Sequence, residues 1–427
     1  MQTIRKVAVL GAGSGGFMCS ADLGSMGYEV ALFSREFSRV KGVKDRGEIE
    51  VIDIDSKPTG MRGKVALVTS DIREAVRGAQ VILNPIPYTS CEEYARLVAP
   101  HLEEGQVVVY LGKGGACLTW AKVLRELKIT KKVYLADTNT LPYGASRMGE
   151  ARVRLENRTQ NLILGTFPGR DVDAVAGVVE QLFTKEHGYE IRRGQNAIDS
   201  ILVDYNAITH TPPMVCNAAR IELAEKPFFL FGKKENTPSV VRLIGRIDRE
   251  RMAIGKALGL KQWTLEEEIR MVKWNPRGED YVLPLYDAIH TPFLEVCEGP
   301  YKLQTRHLEE DIPYGLVTYS SLGKMLGVPT PITDAIISLS EELLQKDCWA
   351  IGRTVESIGI DPAWSTETLK RYLRDGVLPT AVKKAAKPKA VKPKAAKKPV
   401  RKAAKRPAKS KSVKPKSTKA KARGKKR

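Results

Sequence analysis

The segment YNAITHTPP, residues 205–213, places a polar pair and two prolines in a pattern otherwise typical of a helix. Asn206 and His210 are four residues apart, so they share one face of a helix. Pro212 and Pro213 lack N–H donors and predict that the helix kinks or ends one or two residues past the histidine. Histidine suits proton transfer near neutral pH. Taken alone, however, a hydrogen-bonded core histidine is the better explanation of His210.

A second polar stretch, TRHLEEDIPYGL at residues 305–316, holds an arginine and an aspartate around a short acidic segment. Arg306 could bind a substrate carboxylate through two parallel hydrogen bonds. Asp311 could orient a histidine or hold a substrate amine. The spacing by itself is also compatible with a surface turn that carries ordinary ion pairs.

A dinucleotide-binding unit opens the chain and would help to position these residues. The apolar run 6–10 predicts a buried parallel strand, and it leads into GAGSGG, a helical stretch at 17–26 and a strand at 28–33. A glycine-rich loop between strand and helix lets the backbone approach a pyrophosphate at a helix N-terminus. The predicted cofactor-binding residues of this loop are Gly11, Ala12, Gly13, Ser14, Gly15 and Gly16.

The end of the second strand favours NADP over NAD. NAD enzymes place an acid there for the ribose 2′-OH, whereas a 2′-phosphate prefers arginine beside a small hydroxyl. Ser34 and Arg35 occupy the position in LFSRE. Glu36 follows directly, so a change of register would restore an acid, and Arg35 could also be a solvated surface charge.

Three regions follow from the pattern along the chain. Residues 1–190 alternate apolar strands with helical stretches, which predicts an α/β Rossmann domain with a doubly wound parallel sheet. Residues 191–378 show helical spacing in long stretches, including 198–222 and 239–258, and predict an all-α domain. Residues 379–427 are rich in Lys, Ala and Pro and are expected to be disordered alone.

The basic charge of the protein is concentrated in the last region. The net charge is +21, yet residues 383–427 hold 22 Lys and Arg and no acid, which leaves 48 bases against 49 acids in the rest. The tail resembles those of linker histones and could bind nucleic acid without sequence preference. A solubilising extension explains it equally well.

The cysteines and the hydropathy pattern argue against a disulfide-rich, metal-binding, secreted or membrane protein. Six cysteines lie far apart without a CxxC pair, so we expect reduced thiols and neither a disulfide framework nor a metal site. No secretory signal or membrane-spanning run is visible, which favours a cytoplasmic protein without membrane contacts. The oligomeric state, monomer or homodimer, stays open.

Several motifs together resemble the octopine/opine dehydrogenase family along residues 5–360. They include GAGSGG, GQVVVYLGKGGA, ADTNTLPYGA, YNAITHTPPMVCNAARIE, LYDAI, RHLEEDIPYGLV, LGVPTPITDAIISL and GRTVESIGI, in the family's order. The resemblance implies a Rossmann domain joined to a helical domain, with substrates in the cleft between them. It also implies reversible, NAD(P)H-dependent reductive condensation of an amino acid with an α-keto acid.

Carried over onto matching positions, the family's catalytic histidine falls on His210 and its dyad aspartate on Asp311. The substrate-binding residues expected for this reaction are Arg306, Asn206, Thr138 and Thr140. This chain departs from the family at His307, where tyrosine is common, and in the stretch NPIPYTS. Both departures could change substrate choice, and the basic tail has no family counterpart.

Two other functions remain open at the level of sequence. A ketopantoate or β-hydroxyacid reductase also joins a Rossmann domain to a helical one, but commonly depends on a lysine of the helical domain, where this chain has His210. The other alternative is not primarily an enzyme. It is a DNA-associated protein that acts through its linker-histone-like tail, with the enzyme fold in a secondary role.

Overall fold

The computed structural model describes residues 3–224, 226–271, 281–295 and 298–379. Met1–Pro379 forms one compact unit. All but the first residue of the predicted tail, 379–427, lie outside the described residues.

The strands of the described residues all precede residue 194. They are β1 (Lys6–Leu10), β2 (Glu29–Phe33), β3 (Glu48–Ile52), β4 (Pro58–Lys64), β5 (Leu67–Thr69), β6 (Val81–Asn84), β7 (Val107–Tyr110), β8 (Tyr134–Thr138), β9 (Tyr143–Arg147), β10 (Arg152–Arg158), β11 (Asn161–Phe167) and β12 (Glu190–Arg193). The helices among them are α1 (Ser14–Ser25), α2 (Lys41–Arg46), α3 (Ile72–Val76), α4 (Cys91–Val98), α5 (Ala116–Glu126) and α6 (Val172–Leu182).

Helices account for the regular structure that follows. They are α7 (Ala197–Leu202), α8 (Tyr205–Cys216), α9 (Ala218–Glu222), α10 (Pro238–Leu258), α11 (Leu265–Met271), α12 (Leu285–Ile289), α13 (Pro292–Glu295), α14 (Arg306–Glu309), α15 (Val317–Leu326), α16 (Pro331–Leu344), α17 (Cys348–Ile351) and α18 (Thr366–Asp375). A π-helical turn, Ile312–Leu316, joins α14 to α15. The predicted fold class, a Rossmann domain followed by a helical domain, is confirmed, while the boundary at 190/191 stays a prediction.

The main sheet has the strand order β12-β11-β8-β7-β6-β1-β2-β5. Six of these strands, from β8 to β5 in that order, run parallel, as the sequence predicts. Strand β11 runs antiparallel to β8. The chain between β8 and β11 forms β9 and β10 and not a crossover helix of the kind that usually joins parallel neighbours.

The parallel strands are apolar throughout because both faces of the sheet are covered. In β1, Ala8 and Leu10 pack on the side of α4 and α5, whereas Val7 and Val9 pack on the side of α1. The core on the α4/α5 side continues into the helical region through residues such as Ile208. The Rossmann and helical regions therefore share one hydrophobic core.

A second sheet, with the order β4-β3-β10-β9, covers α1 and was not predicted. One face of β3 is apolar and buried, through residues such as Ile49 and Val51. Charged residues occupy the other face in ion pairs such as Arg62–Glu48 and Arg152–Glu50, both 2.7 Å, so this sheet carries a weaker apolar pattern than the main sheet. Strand β4 contacts the backbone of α1 directly, since a Cβ on Gly63 would lie 2.0 Å from the carbonyl oxygen of Ala21.

The helical stretch predicted at 198–222 is three helices, α7, α8 and α9. Helix α8 continues through Pro212 and Pro213 to Cys216, so the alternative that the helix ends just past His210 is wrong. The hydroxyl of Thr211 donates to the carbonyl of Ala207 at 2.8 Å, and the turns on either side of the prolines still close the helix.

Two features of the described residues bear on the class of protein. None of their helices has both the length and the apolar character needed to cross a membrane. Five cysteines, Cys19, Cys91, Cys117, Cys216 and Cys348, are free thiols, and Cys297 lies outside the described residues.

Candidate active site

The glycine loop between β1 and α1 has the geometry that a dinucleotide requires. Gly11 has φ of 103°, and a Cβ on Gly16 would lie 1.8 Å from the carbonyl oxygen of Gly11. A Cβ on Gly13 would meet nothing within 4 Å, so this side of the loop is open to a ligand. Helix α1 begins without a side-chain cap or an acid in its first turn. Its free N–H groups therefore fit a pyrophosphate.

The two residues predicted to select NADP differ in their surroundings. Ser34 is buried at the end of β2, and its hydroxyl donates to the carbonyl of Glu36 at 2.9 Å. Arg35 is exposed, lies over the ring of Tyr94 and forms an ion pair with Glu93 on α4. The charge of Arg35 is thus already compensated by a carboxylate.

His210 and Asp311 are 101 residues apart in the chain and form a buried pair. His210 Nδ1 lies 2.8 Å from Asp311 Oδ2, and the two residues are 7% and 5% exposed. Because an ionised carboxylate only accepts hydrogen bonds, this contact assigns the proton to Nδ1 and leaves Nε2 for a ligand. His210 belongs to helix α8, and Asp311 directly precedes the π-helical turn.

Lys113 completes this cluster and was not among the predicted site residues. Its Nζ lies 3.2 Å from Asp311 Oδ1 and 2.5 Å from Asp204 Oδ2, and all three side chains are almost fully buried. Lys113 belongs to the loop after β7, at the edge of the sheet where the glycine loop follows β1. Ligands of such sheets bind at this edge.

One signal in the sequence could have identified Lys113. The motif GKGGA places a charged residue between glycines directly after a buried strand. A Cβ on Gly114 would lie 2.1 Å from the backbone of Ser200, so the glycine lets this loop contact α7. The break between α7 and α8 then presents Asp204 to the lysine.

The charges of the cluster fix the protonation of its members. Burial acts to raise the pKa of Asp311, but the Lys113 ammonium and the hydrogen bond from His210 outweigh it and hold that pKa at about 2. Burial acts to lower the pKa of Lys113, but Asp204 and Asp311 outweigh it, so the pKa lies above its ordinary value. Asp311 is therefore a carboxylate and Lys113 an ammonium at neutral pH.

His307, one of the two places where this chain departs from the family, lies against His210. Its ring centroid is 4.8 Å from that of His210, in an edge-to-face arrangement. Burial, with the charges of His210 and Arg306 in second place, lowers the pKa of His307 to about 3. The His307 ring is therefore neutral near pH 7.

Arg306 and Asn206 are exposed, unlike the buried members of the cluster. The charge of Arg306 acts on Asp311 and His307, and its guanidinium forms no hydrogen bond or ion pair with the described residues. Thr138 is buried at the end of β8, where it accepts from the N–H of Gly112 at 3.3 Å and donates to the carbonyl of Thr140 at 2.7 Å. Thr138 thus supports the loop that carries Lys113.

Arg353 joins the two halves of the site. The guanidinium donates to the carbonyl of Gly114, to the carbonyl of Tyr314 at 2.6 Å and to the hydroxyl of Thr318 at 3.0 Å. It also lies over the ring of Tyr88, which belongs to the stretch NPIPYTS. One buried arginine therefore holds the loop of Lys113 against the π-helical turn that follows Asp311.

Family profiles match two parts of the chain. One is described as NAD/NADP octopine/nopaline dehydrogenase, alpha-helical domain, and matches residues 193–344. The other is described as NAD-dependent glycerol-3-phosphate dehydrogenase N-terminus and matches residues 6–134.

Curated relatives match along most of the chain. An opine dehydrogenase of Arthrobacter sp. (strain 1C) is 31% identical over 361 residues, covering 83% of this chain and 94% of the relative. A vitopine synthase of Allorhizobium ampelinum is 24% identical over 379 residues, covering 84% and 96%.

Solved structures share the fold. Octopine dehydrogenase with NADH and L-arginine has a TM-score of 0.69 at 18% identity, covering 87% of this chain and 98% of that one. Yersinopine dehydrogenase with NADP+ has a TM-score of 0.64 at 13% identity, with the same coverage. A ketopantoate reductase from Ralstonia eutropha has a TM-score of 0.53 at 19% identity, covering 80% and 98%.

Three observations indicate the same family. They are the glycine loop, the buried histidine cluster and the 31% identity to a relative over most of both chains. The cofactor is accordingly NAD(H) or NADP(H). The chain belongs to the opine dehydrogenase family of NAD(P)-dependent oxidoreductases, which act on CH–NH bonds.

Proposed function

We propose that this protein catalyses the reductive condensation of an amino acid with an α-keto acid, and that His210 handles the proton of the reaction. The observation that carries the proposal is the buried contact between His210 Nδ1 and Asp311, which leaves Nε2 for the substrates. When bound, the nicotinamide supplies a hydride to the carbon of the imine. The protein supplies geometry and charge.

His210 acts as the amine of the amino acid adds to the carbonyl of the keto acid. Its Nε2 donates a proton to the carbonyl oxygen, which leaves as water when the carbinolamine becomes an imine, or it accepts the amine proton. Asp311 accepts the hydrogen bond from Nδ1 and so holds the ring in one orientation and one tautomer. Lys113 keeps Asp311 ionised, since the pKa of a buried carboxyl without a cation would be higher.

The substrate carboxylate is assigned to Arg306. Its exposed guanidinium has no carboxylate partner among the described residues, so both N–H pairs of the fork are available. Asn206 lies one turn before His210 on α8 and would donate a hydrogen bond to the substrates. Thr138 and Thr140 would line the amino-acid pocket.

A variant test follows from the proton-transfer role. His210→Ala should lower turnover by about two to four orders of magnitude and spare cofactor binding, because it removes an acid–base group and leaves the glycine loop intact. The assay is loss of NAD(P)H absorbance with amino acids and pyruvate under saturating conditions, beside a fluorescence titration of the cofactor.

The exposed His187 provides the control, since it lies in a short turn of the Rossmann region. His187→Ala should keep wild-type turnover. Near-normal turnover of the His210→Ala enzyme would exclude His210 as the proton-transfer residue. A wild-type enzyme that reduces ketopantoate and condenses no amino acid with a keto acid would favour the reductase alternative.

We further propose a preference for NADP over NAD, supported by Ser34 and Arg35 at the end of β2. No acid occupies these two positions of the sequence, where NAD enzymes place the carboxylate that binds the ribose 2′-OH. The partners proposed are thus NADPH, an amino acid and an α-keto acid.

For the basic tail we propose binding to nucleic acid without sequence preference. Its 22 positive charges within residues 383–427 suit phosphate backbones, and the absence of aromatic residues from that segment of the sequence offers no stacking platform for bases.

A further inference from the structure

Arg147, the last residue of β9, lies over the first turn of α1. Its backbone N–H donates to the hydroxyl of Ser14 at 3.1 Å, and its guanidinium carbon lies 4.2 Å from the centre of the Phe17 ring. The guanidinium donates to the carbonyl of Ala12 at 3.0 Å and to that of Arg39 at 2.6 Å. One side chain of the second sheet therefore spans the distance from the glycine loop to the loop after β2.

The positive charge of Arg147 has no carboxylate partner among the described residues. The three acceptors of its guanidinium are the neutral carbonyl oxygens of Ala12, Arg39 and Gly149. Burial, and then the charge of Arg39, lower the pKa of Arg147, while Glu150 acts in the opposite direction. Two guanidinium groups thus lie close enough to repel each other.

Such a pair is stabilised when an anion binds to it. Arg147 uses three of the five N–H donors of its guanidinium, which leaves one on each of its two Nη atoms. The side chain of Arg39 is exposed and forms no hydrogen bond or ion pair with the described residues. Both groups can therefore donate to a phosphate without losing a contact that they already have.

Arg35 is less suited to this task, although its position in the sequence makes it the expected ligand. Its guanidinium is paired with Glu93, and the carboxylate would repel an approaching phosphate. Arg39 acts electrostatically on the same Tyr94 ring that Arg35 covers, so the three arginines border one region at the end of β2.

We propose that Arg147 and Arg39 together bind the 2′-phosphate of NADPH. The position of Arg147 supports this. It contacts Ala12, in the loop that would bind the pyrophosphate, and Arg39, which follows the strand end that would bind the adenosine ribose. The second sheet would thereby take part in cofactor selection. The proposal rests on the preference for NADP proposed above and not on the choice of amino acid or keto acid.

The experiment compares dissociation constants of NADPH and NADH, measured by fluorescence titration in the absence of substrates. Arg147→Gln and Arg39→Gln should each weaken NADPH by about tenfold to a hundredfold, the usual effect of losing a charge-assisted hydrogen bond. Each should change the affinity for NADH by less than about threefold. Arg152→Gln is the control, because Arg152 lies in the same sheet but pairs with Glu50, and both affinities should stay at wild-type values.

Fragments distinguish the 2′-phosphate from the pyrophosphate. Adenosine 2′,5′-bisphosphate should raise the melting temperature of the wild-type protein and lose most of this effect in both variants, whereas 5′-AMP should act equally on all. Equal weakening of NADPH and NADH would overturn the proposal, because it would place the arginines on the pyrophosphate. Unchanged NADPH affinity in Arg39→Gln would also overturn it, and this exposed position decides the question if Arg147→Gln fails to fold.

Discussion

At the candidate active site, a lysine, a histidine and two carboxylates share one buried cluster. Lys113 contacts Asp204 and Asp311, and His210 contacts Asp311 from the other side. When His210 is protonated, the positive and negative charges of the cluster are equal in number. The carboxylates of the cluster thus balance the positive charge of a protonated His210. A buried general acid requires such a balance.

Replacing Lys113 tests the electrostatic part of this arrangement. In the wild-type protein the stability that ionised Asp311 contributes is complete above its unfolded pKa of about 4. It is lost as the pH falls through about 2. Lys113→Met removes the cation, so burial raises the pKa of Asp311 and this contribution shrinks or reverses near neutrality. Melting temperatures from pH 4 to 8 should show a less stable variant at pH 7 and a narrowing difference toward pH 4.

Turnover should fall with the same substitution by roughly tenfold or more, because an Asp311 that is no longer fully ionised is a weaker acceptor for the N–H of His210. In the single variant Asp204 also loses its partner. The double variant Lys113→Met/Asp204→Asn removes that buried charge, so it shows whether the fall in turnover comes from Asp311 or from an uncompensated Asp204. The surface variant Lys370→Met, which breaks an exposed pair with Glu367, is the control. A wild-type dependence of stability on pH in Lys113→Met would contradict the role given to the lysine.

At the scale of elements, the site depends on segments that are short and irregular. The loop after β7, the break between α7 and α8, and the π-helical turn after Asp311 each present one member of the cluster. Arg353 connects two of them through its three hydrogen bonds, and its backbone N–H donates to the carbonyl of Pro313 at 2.8 Å. We therefore expect these segments to separate if that arginine is lost.

Arg353→Met should lower the free energy of unfolding by on the order of 3 kcal/mol, because it leaves buried acceptors without a donor. Turnover should fall as well, at a temperature where the variant is fully folded. Denaturant titration and a steady-state assay measure the two effects. Arg374→Met, at an exposed arginine paired with Asp375, should cost less than about 1 kcal/mol and keep its turnover. Equal losses in the two variants would argue against a joining role for Arg353.

At the scale of the whole molecule, the tail differs in charge from the rest of the chain. Residues 1–382 hold nearly equal numbers of acids and bases, and the tail holds only bases. The compact unit ends at Pro379, after the last helix. Catalysis and nucleic-acid binding should therefore be separable by truncation.

A protein that ends at Pro379 should keep full dehydrogenase activity and lose binding to duplex DNA. The full chain should bind DNA of any sequence, with an affinity that falls steeply between low and moderate salt because counterions are released. Binding isotherms in a salt series, beside a steady-state assay, measure both. DNA binding by the truncated protein as tight as that of the full chain would exclude the tail as the DNA-binding element, and an inactive truncation would show that the tail supports the enzyme.

The sequence by itself determined the parts that depend on local pattern. A short apolar run followed by GAGSGG specifies the strand, turn and helix of the Rossmann unit, because close backbone contact at Gly16 excludes any side chain. The helical region followed from its periodicity. The resemblance assigned His210 and Asp311, and the structure brings them within 2.8 Å of each other.

Only the tertiary structure decided which residues meet. Lys113 reaches Asp311 across 198 residues of chain, and Arg147 reaches Ala12 across 135, and no local pattern records either contact. The second sheet was not predicted because its strands carry charged residues on their outer face and lack the continuous apolar runs of the main sheet. Hydrophobic periodicity reports which face of an element is buried, whereas the partner across that face depends on the path of the whole chain.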